Sequence, residues 1–449
     1  VAEDLDELTK QLLSLVGVKS VRDLRRLSGG ASRETWSFDG ERLRGELEPM
    51  VLQRERAGGI RSGGGIPVEV VLIPAAAEHG VPVAPLIAAD PTGEVMGAPA
   101  MVLGRLEGET IARKLLRDDE YADARTHLAA DAGRALAGIH RIPTDVAPTL
   151  DRNDQLVQFR AILDSMGEPH PAFELGFRRL EATRPPETRT TVVHGDFRTG
   201  NLIIGPEGLR AVLDWELAHL GDPMEDLGWF CVRAWRFGSP HPAGGFGSYE
   251  QLLDAYRAEA GVDVDHEVVR WWEAVGTLKW GVMCMIQAQS HLAGMSRSVE
   301  LAAIGRRVCE NEHDLLGLLG SPLSPTLPPP PAVRDIPGSL PHDRPTAAEL
   351  VEAVREYVER DVMGATEGRV QFHARVAVNV LRQLERELGL GPAQARAHAA
   401  RLAQLGFADD RELAAAIRSG DCDDRWNEVV AAVHASVLDK LAVANPSYI

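Results

Sequence analysis

The sequence predicts an α+β fold in two parts, the first rich in strands and the second mostly helical, followed by an all-α domain. Three observations carry this. Short β-prone runs crowd residues 1–105. Residues 106–318 show helical periodicity broken by one hairpin, apolar runs on either side of Gly205–Pro206–Glu207–Gly208. A proline-rich linker at 319–345 then separates these from amphipathic helix over 346–449.

The chain has 449 residues, enough for two to four packing units. Hydrophobic residues at 44% and charged residues at 25% place it among globular proteins. A net charge of −18 disfavours DNA, RNA and anionic membrane as partners, because polyanions are bound through clustered Lys and Arg. It does not exclude a small anion such as ATP in a locally basic pocket. No run of about 18 apolar residues predicts a membrane span. Residues 1–10 carry Glu3, Asp4, Asp6 and Glu7 and lack the pattern of a signal peptide, so cytoplasmic residence is the expectation. Cys231, Cys284, Cys309 and Cys422 form no C-x-x-C pair and read as buried apolar residues.

In the first part, Leu27–Ser28–Gly29–Gly30–Ala31–Ser32–Arg33 stands between two β-prone runs. Such a strand–glycine loop–strand can lay the N–H groups of Ser28, Gly29, Gly30, Ala31 and Ser32 over phosphates, since glycine permits close approach. Glu48–Arg54 reads as a further strand. Arg54, with Gln53 beside it, is the candidate for pairing with phosphates, although a surface arginine on an edge strand would look the same. Gly58–Gly65 lacks the order of a phosphate loop and reads as a flexible connection. Val68–Glu78 follows as a helix. Glu69 near its start is placed to hold the strand's basic residue. Pro99–Gly104 is a short apolar strand whose Met101 and Leu103 could supply backbone groups to an adenine ring, or sit in a plain core strand.

The strongest signal is Thr191–Val192–Val193–His194–Gly195–Asp196–Phe197–Arg198–Thr199–Gly200–Asn201. An apolar strand enters a polar loop at His194 and a second apolar run begins after Asn201. The spacing His-x-Asp-x4-Asn is that of a kinase catalytic loop, in which the aspartate accepts the proton of the attacking hydroxyl. This points to a bilobal protein-kinase-like fold, with Asp196 as the base and His194 as a brace for the loop. A hairpin turn centred between Glu207 and Gly208 predicts that Asn201 lies directly opposite Asp214. One amide oxygen and one carboxylate would then converge on a Mg2+ ion, which takes few protein oxygens beside phosphates and water.

The stretches H-G-D-F-R-T-G-N-L-I-I and V-L-D-W-E-L-A-H-L-G-D-P resemble the aminoglycoside phosphotransferase and choline kinase family. The resemblance covers residues 20–315 and is most similar to the branch related to the kinase domain of acyl-CoA dehydrogenase fusions. It implies ATP and Mg2+ as cofactors, Asp196 as base and Asn201 and Asp214 as metal ligands. It also implies a nucleotide loop at Leu27–Trp36 and an adenine-contacting hinge at Met101–Gly108. Asp222 and Asp226 read as structural anchors that cap or brace the following helix. One departure stands out: the family carries Lys or Arg-Arg on the third strand and a proline-rich turn, where this chain has Gln53–Arg54–Glu55–Arg56–Ala57.

The acceptor is expected to be a hydroxyl of a small molecule, a hydroxyacyl-CoA or an aminoglycoside-like compound. The alternative is a catalytically weak nucleotide-binding scaffold acting through its helical domain. That last domain opens on a capping box, Thr346-Ala347-Ala348-Glu349. A second helix is expected through Val370 to Leu384 with Gly389 as its C-terminal cap, and further helices to about Ala444. The domain carries no catalytic constellation, which leaves a homodimer interface or a docking surface for a partner enzyme as its expected role.

Overall fold

The computed structural model describes residues 5–27, 33–56, 64–320, 327 and 344–449. The expected phosphate-contacting residues Ser28, Gly29, Gly30, Ala31 and Ser32 lie outside the described residues.

Helix α1 (Leu5–Val16) is followed by β1 (Ser20–Arg26), β2 (Arg33–Glu41) and β3 (Leu47–Glu55). Helix α2 (Ile66–Glu78), β4 (Leu86–Asp90) and β5 (Ala100–Gly104) complete the first part. The five strands form one antiparallel sheet in the order β1-β2-β3-β5-β4. Alternation along the strands decides its two faces. Trp36, Phe38, Met50, Leu52, Ala100 and Val102 pack with Leu8 and Leu12 of α1. Met101 and Leu103 point the other way and pack with Ile66, Val68 and Leu72 of α2.

The chain continues through α3 (Ala112–Arg117), α4 (Ala122–Ile139), α5 (Gln155–Met166) and α6 (Pro171–Ala182). Two small two-stranded sheets follow. One pairs β6 (Thr191–Val193) with β9 (His219–Gly221); the other is the hairpin of β7 (Leu202–Gly205) and β8 (Gly208–Val212). Then come α7 (Met224–Cys231), α8 (Tyr249–Ala260), α9 (His266–Leu292), α10 (Val299–Ile304) and α11 (Val308–Leu318). The last described stretch holds α12 (Ala347–Tyr357), α13 (Met363–Ala365), α14 (Gly368–Leu405), α15 (Asp410–Ser419) and α16 (Trp426–Ala444).

Packing divides the chain elsewhere than at the expected breaks. One compact unit is 1–154 with 185–273; the other is 155–184 with 274–449. The reason lies in a shared core. Leu402, Leu413, Val429, Val433 and Leu441 of the last helices close on Ala172 and Leu175 of α6 and on Cys309 and Leu316 of α11. Buried polar links reinforce it: Glu312 accepts Lys440 Nζ at 3.0 and 3.1 Å and lies 3.0 Å from His170 Nδ1. Arg418 donates to Glu174 at 2.7 Å. The helices after 346 are therefore half of a core that 155–184 and 274–318 complete.

The capping box at Thr346 forms, with Glu349 N–H on the Thr346 hydroxyl and Thr346 N–H on Glu349. The expected stop at Gly389 does not. α14 runs on through Gly389, Gly391 and Pro392 and ends at Gly406 with φ 85°. Contacts to α16 on both sides of that weak point override local propensity. Arg386 donates to the Val443 carbonyl at 2.7 Å, and Gln394 to the Asp439 carbonyl at 2.9 Å. All four cysteines are free and buried. Among the described residues no helix is long and apolar enough to cross a membrane.

Candidate active site

The polar loop 194–201 is suspended between buried apolar anchors. β6 delivers it from the core, with Val192 and Val193 fully buried. At Gly195 the backbone takes φ 76°, and a Cβ would stand 2.4 Å from the Leu217 carbonyl oxygen, so only glycine is accommodated. Phe197 drops into the core, edge-on to His194 and to Phe230, with ring centroids 6.0 and 5.4 Å apart. Thr199 ties the far end by donating to the Gly244 carbonyl at 2.7 Å.

Asp226 is the keystone of the backbone. Its carboxylate accepts the N–H of His194 at 2.7 Å and of Gly195 at 2.9 Å. His140 bridges it, at 3.1 Å, to the Tyr256 hydroxyl. Burial would raise its pKa, but the His140 contact and the loop amides outweigh that and hold it down at about 2. Asp226 thus braces the 194–201 loop from the following helix, whereas Asp222 accepts Met224 N–H at the helix start and pins Thr188. His194 is also structural. Its Nδ1 accepts Asp196 N–H at 3.2 Å and its Nε2–H donates to the Leu213 carbonyl at 3.0 Å. An amide can only donate and a carbonyl only accept, so the ring is the neutral Nε2–H tautomer. Burial pushes its pKa below the ordinary histidine value.

Held this way, Asp196 presents a buried carboxylate surrounded by donors. Trp229 Nε1 lies 3.0 Å from Oδ1, Asn201 Nδ2 lies 2.7 Å from Oδ2, and Arg198 Nε is 3.1 Å from both oxygens. Asn201 Nδ2 also reaches the Asp196 carbonyl at 3.0 Å. With its amide nitrogen committed to Asp196, Asn201 turns its side-chain oxygen the other way.

The register of the hairpin differs from the expected one. The turn falls at Pro206–Glu207, with Gly205 opposite Gly208, and Arg210 is an extra residue between the pairs Ile204–Leu209 and Ile203–Ala211. This bulge brings Leu202 opposite Val212, so Asn201 meets Leu213, not Asp214, and its carbonyl accepts Leu213 N–H at 2.8 Å. Asp214 is the next residue and takes φ 64°, a left-handed conformation that re-aims its side chain at the end of the strand. Burial first, then the neighbouring carboxylates Glu216 and Asp196, raise its pKa to about 6, against the opposing pull of Arg33 and Arg198.

On the sheet, the expected pairing of Arg54 with Glu69 is replaced by another. Arg54 lies opposite Glu34 and bonds it at 2.7 Å, on the face packed under α1. Glu69, only 1% exposed in the first turn of α2, is paired instead with Arg33 at the start of β2. Arg33 Nη1 lies 2.8 Å from Glu69 Oε2 and 3.2 Å from Gln53 Oε1, and its Nη2 is 3.4 Å from Glu216. Two-residue alternation explains the exchange: Gln53 and Arg33 share the α2 face, and Arg54 cannot. Met101 and Leu103 lie between β3 and β4, and the ladders with both take up their backbone groups. They offer buried side chains; groups for a ring would have to come from beyond Gly104. Sequence alone does not single out Arg33, Glu216, Trp229 or His140: Arg33 and Glu216 stand beside the glycine loop and Asp214, but only the fold brings them to the site.

The donors at the loop fit a hard divalent cation. One carboxylate and one amide oxygen, beside a second carboxylate in Glu216, are what magnesium takes when phosphates and water fill its other positions. Burial first, then the carboxylates of Glu216 and Asp196, raise the pKa of Asp214, and a bound cation would offset both. Among the described residues no cluster of three or more His, Cys, Asp or Glu forms a self-sufficient metal cage.

Mouse acyl-CoA dehydrogenase family member 10 is 30% identical over 244 residues, 51% of this chain but only 22% of that protein. Human acyl-CoA dehydrogenase family member 11 is 35% identical over 80 residues, 16% of this chain and 10% of that protein. The chain thus spans less than a quarter of the curated relatives it matches. Among solved structures, a Ralstonia eutropha protein described as a candidate aminoglycoside phosphotransferase superposes with TM-score 0.57. It is 20% identical and the match covers 71% of this chain and 98% of that one. The GDP and kanamycin complex of APH(2")-IIia superposes with TM-score 0.50 at 13% identity, covering 69% and 99%. These likenesses establish the kinase-like fold. A model described only as a domain of unknown function matches residues 364–448. The model of the phosphotransferase enzyme family matches residues 23–272, which take in most of the sheet, the 194–201 loop, Asp214 and the Asp226 brace, and the chain belongs to that family.

Proposed function

We propose that this enzyme transfers the γ-phosphate of ATP to a hydroxyl of a small molecule, with Asp196 as general base and Asn201 and Asp214 as the residues that hold Mg2+. The observation that carries the reading is the juxtaposition of two differently treated carboxylates. Asp196 is steadied by Trp229, Asn201 and Arg198, while Asp214 beside it is short of donors and carries an elevated pKa. In the transfer, the acceptor oxygen attacks the γ-phosphorus, the bond to the bridging oxygen of ADP breaks, and the acceptor's proton passes to Asp196. Because the loop is locked by Asp226 and His194, Asp196 needs little reorganisation to receive it. Magnesium, when bound, supplies charge neutralisation on the phosphates.

A solved neighbour holds GDP with kanamycin, and the curated relatives are acyl-CoA dehydrogenase family proteins. Both a hydroxyacyl-CoA and an aminoglycoside-like compound are therefore acceptors to test. Against the scaffold alternative, the loop braced by Asp226 and the Arg33–Glu69 pair favour turnover. The test is magnesium-dependent ATP consumption across a panel of hydroxyacyl-CoAs, aminoglycosides and other hydroxylated metabolites. One acceptor should support turnover, and Asp196→Ala should lower kcat by about 100-fold or more while leaving ATP binding within a fewfold. Turnover that survives in Asp196→Ala would refute the role of the base.

A further inference from the structure

We propose that Arg33 on β2 is the cation that faces the nucleotide phosphates, a role the sequence had pointed to β3 to supply. The inference rests on the nucleotide reading above. A kinase-like fold needs one cation beside the phosphates, held by a glutamate of the helix packed on the sheet. Here the residue of β3 that faces α2 is Gln53, which is neutral, and the adjacent Arg54 is turned to the α1 face and engaged by Glu34. The buried glutamate of α2, Glu69, instead holds Arg33 through two hydrogen bonds. Gln53 hydrogen-bonds the same guanidinium at 3.2 Å, and so helps to aim the cation that replaces it.

The same Nη2 of Arg33 that bonds Glu69 also reaches the loop that follows Asp214. It lies 3.4 Å from Glu216, two residues past Asp214. The guanidinium of Arg33, a residue only 7% exposed, thus links α2, β3 and the Asp214 loop. Glu69 holds it closely and Glu216 loosely. The Glu216 contact is the one that phosphate oxygens would displace, leaving Glu69 to fix the fork. A guanidinium suits this because its planar donors can serve a carboxylate and a phosphate at once, which a single ammonium does less well.

The experiment measures binding of the fluorescent nucleotides mant-ATP (with magnesium) and mant-AMP to the full chain. Arg33→Gln should weaken mant-ATP by about 10- to 100-fold, the loss of a charge-assisted contact, and mant-AMP by less than about twofold, since the β- and γ-phosphates are absent. Arg54→Gln should change neither. In the double variant Arg33→Gln/Gln53→Lys, the cation is returned to β3 on the Glu69 face, and mant-ATP affinity should recover at least about tenfold. That recovery also separates a phosphate role from a structural one, since a lysine at position 53 would not repair a misfolded sheet. Wild-type binding with no loss in Arg33→Gln, or equal losses for mant-ATP and mant-AMP, would overturn the assignment alone. Failure of the wild type to bind mant-ATP would overturn the nucleotide reading and this assignment with it.

Discussion

Asp214 should make the protein less stable when ionised, and the size of the effect follows from its surroundings. The carboxyl titrates from 3.8 in the unfolded chain to about 6 in the native one, raised by burial and then by Glu216 and Asp196. A native pKa above the unfolded one means that the native state binds the proton more tightly. The group's contribution to stability is therefore full below about pH 4 and lost as pH rises through about 6. The difference of roughly two pKa units corresponds to up to about 3 kcal/mol. Asp214→Asn keeps the shape of the protonated acid and has no charge to lose. In urea denaturation with EDTA present, the variant and wild type should be close at pH 4.5. At pH 8 the variant should be more stable by about 1–3 kcal/mol. Asparagine also tolerates the φ of 64° better than aspartate, but that gain is independent of pH and shifts only the offset. The slope against pH is the decisive quantity. A stability difference that stays flat from pH 4.5 to 8, or that favours wild type more as pH rises, would refute the electrostatic account. Adding magnesium and ATP should stabilise the wild type and leave Asp214→Asn nearly unmoved.

Asp226→Ala should strip acceptors from His194 N–H, Gly195 N–H and His140 in a fully buried site. At about 1–3 kcal/mol for each orphaned group, thermal unfolding should report a loss of roughly 3–9 kcal/mol together with loss of transfer. In the wild type the same carboxylate, with its pKa held at about 2, contributes stability that is present above pH 4 and disappears only as pH falls through about 2. Deleting residues 346–449 should not release a healthy enzyme. It bares Leu175, Cys309 and Leu316, each large apolar side chain losing about 1.5–3 kcal/mol of burial, so calorimetry should show a markedly lower Tm or aggregation. The role of the exposed apolar residues Leu350, Val354 and Tyr357 is better read from Val354→Glu/Tyr357→Glu. If this face joins two copies, the variant's mass in solution should halve; an unchanged mass removes the dimer reading.

What could be read in the sequence was whatever is written locally. His-x-Asp-x4-Asn follows one strand and precedes another within a few residues, so its loop was evident. The capping box at Thr346 is likewise closed by a residue three positions away. The hairpin was recognisable from its turn residues, but its register was not. Whether Arg210 bulges depends on how β8 meets its neighbours, and one residue of slip moves Asp214 out of line with Asn201. Arg33 and Glu69 are 36 positions apart, and only strand alternation in the assembled sheet shows that Glu69 meets Arg33 and not Arg54. Gly389 looked like a helix end because the contacts that Arg386 and Gln394 on either side of it make to α16, more than 40 positions away, leave no trace in the local sequence.

Asp226 and Asp214 are both buried, and burial alone would raise the pKa of each. Their pKa values nonetheless move apart, to about 2 and about 6. The difference is in what surrounds them. Asp226 receives two amide N–H groups and a histidine, so its charge is fully matched by the protein. Asp214 faces Glu216 and Asp196, and the nearest cations, Arg33 and Arg198, are already committed to Glu69 and Asp196. A fold selected for stability alone would have supplied Asp214 with donors too. Leaving it unmatched makes sense if the missing positive charge arrives with the substrate. A metal–nucleotide complex would then gain affinity from the same repulsion that destabilises the empty site. On this view the fold concentrates its donors on the loop backbone, where rigidity matters, and places its charge deficit where binding is to occur.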